Sequence, residues 1–298
     1  MSHFVEEGDI GSAWLRALEV INESGGSVVN LAVTITNPLC EDLGVRAVIE
    51  QALADLRAEG RKEFANAQSM HTVANTIFPI SLYRPDVDGA AERFLANAVR
   101  SDEARGHLPA AKRQWGTYIG RLVRYPARDG GHTNQLAEML QQLRAQRQWA
   151  DLYEMPLVVP GDEHEVCWDT TFHATGALTH GDARLDARMR GGPCLAHLSG
   201  TLDNGRLSMV ALYRRHSYLA RAYGNFLGLA RLLAFLARES GHTVGELMIV
   251  ASHAVVDGPH GRQLQQRALA AAGHRSPIET SSRPLGATWS DLELPTAP

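Results

Sequence analysis

The sequence predicts an α/β (α+β) chain, because helical and strand periodicities alternate along it and turn residues separate them. First, Trp14, Leu15, Leu18 and Ile21 recur at helical spacing within Ile10–Glu23, Ser24-Gly25-Gly26-Ser27 ends the run, and Val28 to Thr36 alternates as a strand up to Asn37-Pro38. Second, the apolar stretches Leu195–Leu202 and Leu207–Tyr213 flank Asp203-Asn204-Gly205-Arg206, a hairpin turn because Asn and Gly tolerate left-handed backbone. Third, Asn225 opens a 3.6-periodic apolar segment (Phe226, Leu229, Leu232, Leu233, Leu236) that stops at Glu239-Ser240-Gly241, and Leu247–Val250 then brings His253 back to the sheet. That segment reads as a long buried helix.

Between these markers, Val45–Arg57 has helical spacing. His71–Pro79 is an apolar stretch with polar His71 and Asn75, read either as the lining of a pocket or as a buried loop. Asp86–Arg105 is charge-rich and reads as a helical surface segment. Gln114–Tyr125 places Tyr118 near a helix start, and Asn134–Trp149 is the next helix. Leu157–Pro160 and Val166–His173 read as strands, Thr179–Arg190 as a polar loop, and the proline-rich tail from His274 to Pro298 as irregular. No repeat or linker-like shift divides the chain, so a single domain over 1–298 is expected.

Composition narrows the function. A formal net charge of −4 argues against a nucleic-acid-coating surface. The three cysteines, Cys40, Cys167 and Cys194, show no C-x-x-C spacing, so neither a disulfide framework nor a metal site is indicated. Apolar runs fall short of the roughly 18 residues of a membrane span, and the acidic N-terminus lacks a signal-peptide layout. A cytoplasmic protein with no membrane contact is expected.

The residues from Pro193 to His253 carry a resemblance. Pro193-Cys194, Asn204-Gly205-Arg206-Leu207-Ser208, Arg214 with Arg215, Tyr223-Gly224-Asn225, Val244-Gly245-Glu246 and Ser252-His253 follow one another in a fixed register. They are similar to the Pro-Cys-His strand, (D/N)-G-K-L-S turn, Tyr-Gln-Arg-Ser-x-Asp strand end, G-x-P-F-N helix start, V-G-D and G-D-x-H-x-Y of thymidylate synthase and its pyrimidine hydroxymethylase relatives. From Cys194 to Asn225 no gap is needed; the step from Glu246 to His253 is two residues short. About the last third of the chain is covered well and the rest loosely. The resemblance implies a three-layer fold with a curved mixed β-sheet and a long buried helix, and a homodimer formed through the sheet face.

It also implies a chemistry. The thiolate of Cys194 would add to C6 of a pyrimidine, and C5 would then take a one-carbon unit from 5,10-methylenetetrahydrofolate, giving a methyl or hydroxymethyl product. A thiolate is the effective nucleophile near neutral pH and needs a nearby cation, which Arg214 and Arg215 supply across the hairpin; a lone Cys before a strand is otherwise an inert core residue. Asn225 would read a uracil-type edge, or serve as a helix N-cap. His253 would hold water at the ring oxygen or a sugar hydroxyl, or be structural. Tyr118 stands at the place of a tyrosine near the reacting cysteine, or is a packed aromatic. Glu50 and Gln51 are the candidates for a water-ordering glutamate, with the register on Gln51 and a solvated charge as the alternative for Glu50. Arg144 and Arg147 fall near a pair of arginines that the family offers to the partner subunit's phosphate, or complement the helix dipole.

The departures matter too. The histidine after the nucleophile is Leu195, the phosphate-binding serine is Arg215, the pterin-binding aspartate falls at Ser217, and the sugar-gripping tyrosine falls at Val255. No arginine lies between Arg16 and Arg46, so the phosphate ligand of the first turn is missing. The expectation is one-carbon transfer to a pyrimidine nucleotide or nucleoside-like compound. Its rivals are folate-independent Cys-adduct chemistry at C5 and a catalytically silent binding homologue.

Overall fold

A mixed sheet with its helices packed on one face organises the chain. The computed structural model describes residues 2–58, 68–109, 115–127, 131–145, 152–158, 192–256, 265–266, 269–270 and 282–284. Arg147, Cys167, the expected strand 166–173, the expected loop 179–190 and most of the tail lie outside these residues.

Strand β1 (His3–Glu7) is joined by helix α1 (Ile10–Glu23) to β2 (Ser27–Ile35), and the two strands pair in parallel. Asp9 caps α1 by accepting from Gly11 N at 2.8 Å and Ser12 N at 3.0 Å, and the stripe Ile10, Trp14, Leu18, Ile21 is buried. β3 (Cys40–Asp42), α2 (Leu43–Ala58), α3 (Met70–Ile77), α4 (Ala90–Gly106) and α5 (Tyr118–Val123) follow. Next come β4 (Tyr125–Pro126), β5 (His132–Thr133), α6 (Gln135–Ala145) and β6 (Leu152–Pro156). β7 (Leu195–Asp203) and β8 (Arg206–Tyr213) form the hairpin, with Asn204 at φ 47° and Gly205 at φ 77°, the left-handed pair that a type I′ turn demands. β9 (His216–Ser217) precedes α7 (Tyr223–Ser240), then β10 (Thr243–Val255) and β11 (Ser282–Pro284).

Among the described residues the main sheet has 7 strands in the order β1-β2-β10-β8-β7-β6, with β9 beside β10. β10 is antiparallel to β2 and parallel to β8. Alternation sends Leu207, Met209, Ala211 and Tyr213 of β8 inward, and Leu247, Ile249 and Ala251 of β10 with them. α7 covers this face. It ends in a Schellman cap: Gly241 adopts φ 79°, its N–H reaches Arg238 O at 3.2 Å, and His242 N reaches Ala237 O at 2.8 Å.

Several elements depart from the expectations. His71–Pro79 is largely helix α3, capped by Ser69, whose hydroxyl accepts from Thr72 N at 3.1 Å. Its β-branched residues weaken intrinsic helicity, and packing on α7 overrides that weakness. α4 is the expected surface helix with Glu92, Arg93, Arg100 and Glu103 exposed, but its other face is core: Ala91, Phe94, Leu95 and Ala98 are buried, and Phe94 packs on Phe78 (ring centroids 4.7 Å apart) and Phe235 (4.8 Å). α7 begins before Asn225, because a π-turn at Tyr218–Ala222 runs directly into it, so Asn225 is not the N-cap. Of the strand expected at Leu157–Pro160, residues 159–160 lie outside the described residues; a strand is found just before it, at Leu152–Pro156, and the Leu157 and Val158 amides both reach Ala196 O, where β7 bulges. In the tail, Ser282–Pro284 pairs with β3. β1 was missed because it is short, acidic and at the sheet edge. No described helix is long and apolar enough to cross a membrane.

α3 and α7 touch almost backbone to backbone. A Cβ at Gly224 would stand 2.6 Å from Val73 Cβ and 2.7 Å from Met70 O, and one at Gly228 would stand 2.8 Å from Ala74 O. Gly224→Ala is therefore expected to destabilise the fold by about 1–3 kcal/mol, despite alanine's better helix propensity. Urea unfolding of the variant checks this through a lowered midpoint.

Candidate active site

Hairpin register decides which side chains meet. Leu195 pairs with Tyr213, so Cys194, one residue earlier, lies opposite Arg214, one residue later. The backbone closes the pairing, with Arg214 N donating to Cys194 O at 2.9 Å. The Arg214 guanidinium folds back onto the same segment, Nη2 donating to Pro193 O at 2.6 Å. Cys194 is a free thiol, half-buried, and packs on the rim of the core.

Tyr118 clamps the other side of this strand start. Its Oη accepts from Cys194 N at 3.2 Å and from Leu195 N at 3.3 Å, which leaves its own proton free to be donated. Burial, then the charge Cys194 carries when ionised, pushes the Tyr118 pKa up to about 12. α5 is held in place by Arg121, 1 % exposed, which donates to Trp115 O and, at 2.8 Å, to Leu157 O. Trp115 packs against the Tyr118 ring with centroids 4.7 Å apart.

Inside this pair lies a second layer that the sequence did not single out. Tyr213 stacks on His216 with centroids 4.1 Å apart and planes 4° from parallel, and the buried Tyr213 Oη has no hydrogen-bond partner. Burial raises the Tyr213 pKa well above the usual tyrosine value, with Tyr118 and Cys194 adding to it. Asn225 Nδ2 lies 3.0 Å from His216 Nε2, so the amide donates to the ring and the ring proton sits on Nδ1, which has no partner. The signal for these two residues was the inward position of Tyr213 on β8 and the neighbour of the arginine pair, but only the strand pairing tells which partners they meet.

The remaining candidates divide. β9 pairs Ser217 with Val255 of β10, and His253 lies two residues before Val255, half-buried, so both stand at the same end of the sheet as Cys194. Arg215 is exposed there. Glu50 sits on α2, half exposed, and pairs with Arg46 at 3.2 Å, while Gln51 donates to Asp55 at 2.7 Å. Arg144 is engaged by Glu92 at 3.0 Å and by Glu239 O at 2.9 Å. Among the described residues, no group of three or more His, Cys, Asp or Glu is placed to hold a metal ion.

The cluster thus combines a half-exposed thiol, a guanidinium, two protonated phenols and a buried amide–imidazole pair at one sheet end. No protein-family model and no curated protein matches the chain.

Two outcomes are expected. Tyr118→Phe removes the acceptor of the buried Leu195 amide and the part-buried Cys194 amide and lowers stability by about 1–3 kcal/mol, measured by urea unfolding. For His216, burial lowers the pKa from 6.5 to about 3, so between those values the folded chain binds fewer protons than the unfolded one. The contribution is complete above the unfolded pKa and is lost as pH falls towards the folded one. His216→Gln should flatten the acid decline of unfolding free energy across that window.

Proposed function

We propose that Cys194 adds to C6 of a pyrimidine ring and that the protein transfers a one-carbon unit to C5, as a divergent thymidylate-synthase-like transferase. The observation that carries this reading is the half-buried Cys194 at the end of the hairpin, its backbone amide bound by Tyr118 Oη and the carbonyl before it by the Arg214 guanidinium.

The chemistry follows from those groups. The thiol loses its proton to solvent through its exposed side, favoured by the neighbouring guanidinium. Sulfur bonds to C6, and the C5–C6 π pair moves onto C5 and the ring carbonyl. C5 bonds to the carbon of a one-carbon unit at the formaldehyde oxidation level, whose C=O π pair moves onto its oxygen and takes a proton from solvent, leaving a hydroxymethyl group. Loss of the C5 proton and expulsion of the thiolate then restore the double bond. Tyr118, which keeps its proton, is a donor to the departing sulfur. Asn225, held by His216, reads the uracil-type edge; Arg214 and Arg215 meet an anionic substituent, and His253 and Ser217 border the ring's polar side.

The resemblance implies 5,10-methylenetetrahydrofolate as donor. The residues here do not reproduce its holder: Ser217 offers a hydroxyl where a carboxylate is needed, and α3 lies directly against Gly224. This mismatch favours a second reading, folate-independent activation of pyrimidine C5.

The outer face of the sheet exposes Phe4 (79 %), Val210 (37 %) and Leu212 (40 %). A second copy of the chain, seated on this face, is the partner the reading implies.

Mass spectrometry after incubation with 5-fluoro-dUMP, with and without methylenetetrahydrofolate, tests the function. The expected result is a covalent adduct that Cys194→Ala abolishes. An adduct with C5 deuterium exchange that ignores folate selects the second reading, and no adduct in any arm removes both.

A further inference from the structure

We propose that Arg231, Arg46 and His71 form a binding site for a small oxyanion, a phosphate or a carboxylate, outside the Cys194 group. Arg231 projects from the middle of α7 and is 3 % exposed. Its Nε and Nη1 have no hydrogen-bond partner, and its Nη2 reaches only His71 Nδ1, at 3.5 Å. A guanidinium buried in this state carries the full cost of its lost hydration.

His71 makes the deficit sharper. Its Nε2 meets Arg46 Nη2, and its Nδ1 faces Arg231. Arginine is only a donor, and a neutral imidazole offers one lone pair and one proton. Once Nε2 accepts from Arg46, Nδ1 carries the hydrogen and points it at further N–H groups. Burial, followed by the charges of Arg46 and Arg231, drives the His71 pKa down to about 4, so the ring is neutral near pH 7. His71 Nδ1–H and Arg231 Nη2 are then two donors face to face.

Glu41 and Glu50 match Arg46 and Arg231 in number, but both carboxylates bond Arg46. Glu41, 2 % exposed, is the buried carboxylate of this cluster; it takes the Tyr223 hydroxyl at 2.8 Å and Arg46 at 3.3 Å. Glu50, 51 % exposed, takes Arg46 from the solvent side. Arg231 Nε and Nη1 are left without a bonded acceptor, and the charge of Glu41 reaches the guanidinium only through space. An oxyanion entering past Arg46, whose side chain is 20 % exposed, would take one edge of the Arg231 guanidinium, Nε or Nη1 together with Nη2, and His71 Nδ1–H, and would supply the acceptor those donors lack.

Titration of the full chain with inorganic phosphate and, separately, acetate at constant ionic strength in chloride tests the site, read by calorimetry and by thermal unfolding. Wild type should show saturable binding and stabilisation by one of the two. A phosphate response assigns a phosphoryl ligand and an acetate response a carboxylate. Arg231→Met and Arg46→Gln should each weaken binding by about tenfold or more, whereas Cys194→Ala should leave it unchanged. No saturable response beyond that of chloride, or undiminished affinity in the arginine variants, overturns the proposal. Should Arg231→Met fail to fold, undiminished affinity in Arg46→Gln alone overturns it.

Discussion

The register of one hairpin governs where the reactive groups of this chain stand. Asn204 and Gly205 both take positive φ, which fixes Asp203 against Arg206 and, counted back through the bulge at Ala196, Leu195 against Tyr213. A one-residue slip would turn the inward row of β8 to solvent and carry Arg214 away from Cys194. Local turn chemistry thus sets a juxtaposition about twenty residues apart in sequence.

Two further devices make that position rigid. Tyr118 ties the first amides of β7 to α5, and Arg121 ties α5 in turn to the peptides of Trp115 and Leu157. Backbone carbonyls absorb a buried guanidinium there, so Arg121 costs far less than Arg231, whose Nε and Nη1 have no such acceptors. The two buried arginines show how similar burial has opposite meaning according to what the donors meet.

Much of this architecture was legible in the sequence because it rests on local signals. α1 ends where its periodicity meets Ser24-Gly25, the hairpin turn is written in Asn204-Gly205, and α7 stops at Gly241. Elements stabilised by partners were not legible. α3 is short and β-branched and is helical because Gly224 and Gly228 admit it, and α4 looked solvated until Phe94 found Phe78 and Phe235. In the candidate site, the cysteine, the arginines and Tyr118 carried recognisable patterns. Tyr213 and His216 did not, since their meaning comes from the stacking and the Asn225 contact that strand pairing creates.

The place of β10 has a consequence for how the chain is made. It lies at the centre of the sheet, bonded to β2 on one side and β8 on the other, and among the described residues β1–β2 and β6–β8 share no ladder without it. During synthesis each of those halves leaves the ribosome with an open edge that only residues 243–255 can fill. The nascent protein must therefore shield two unpaired strand edges until its central strand emerges.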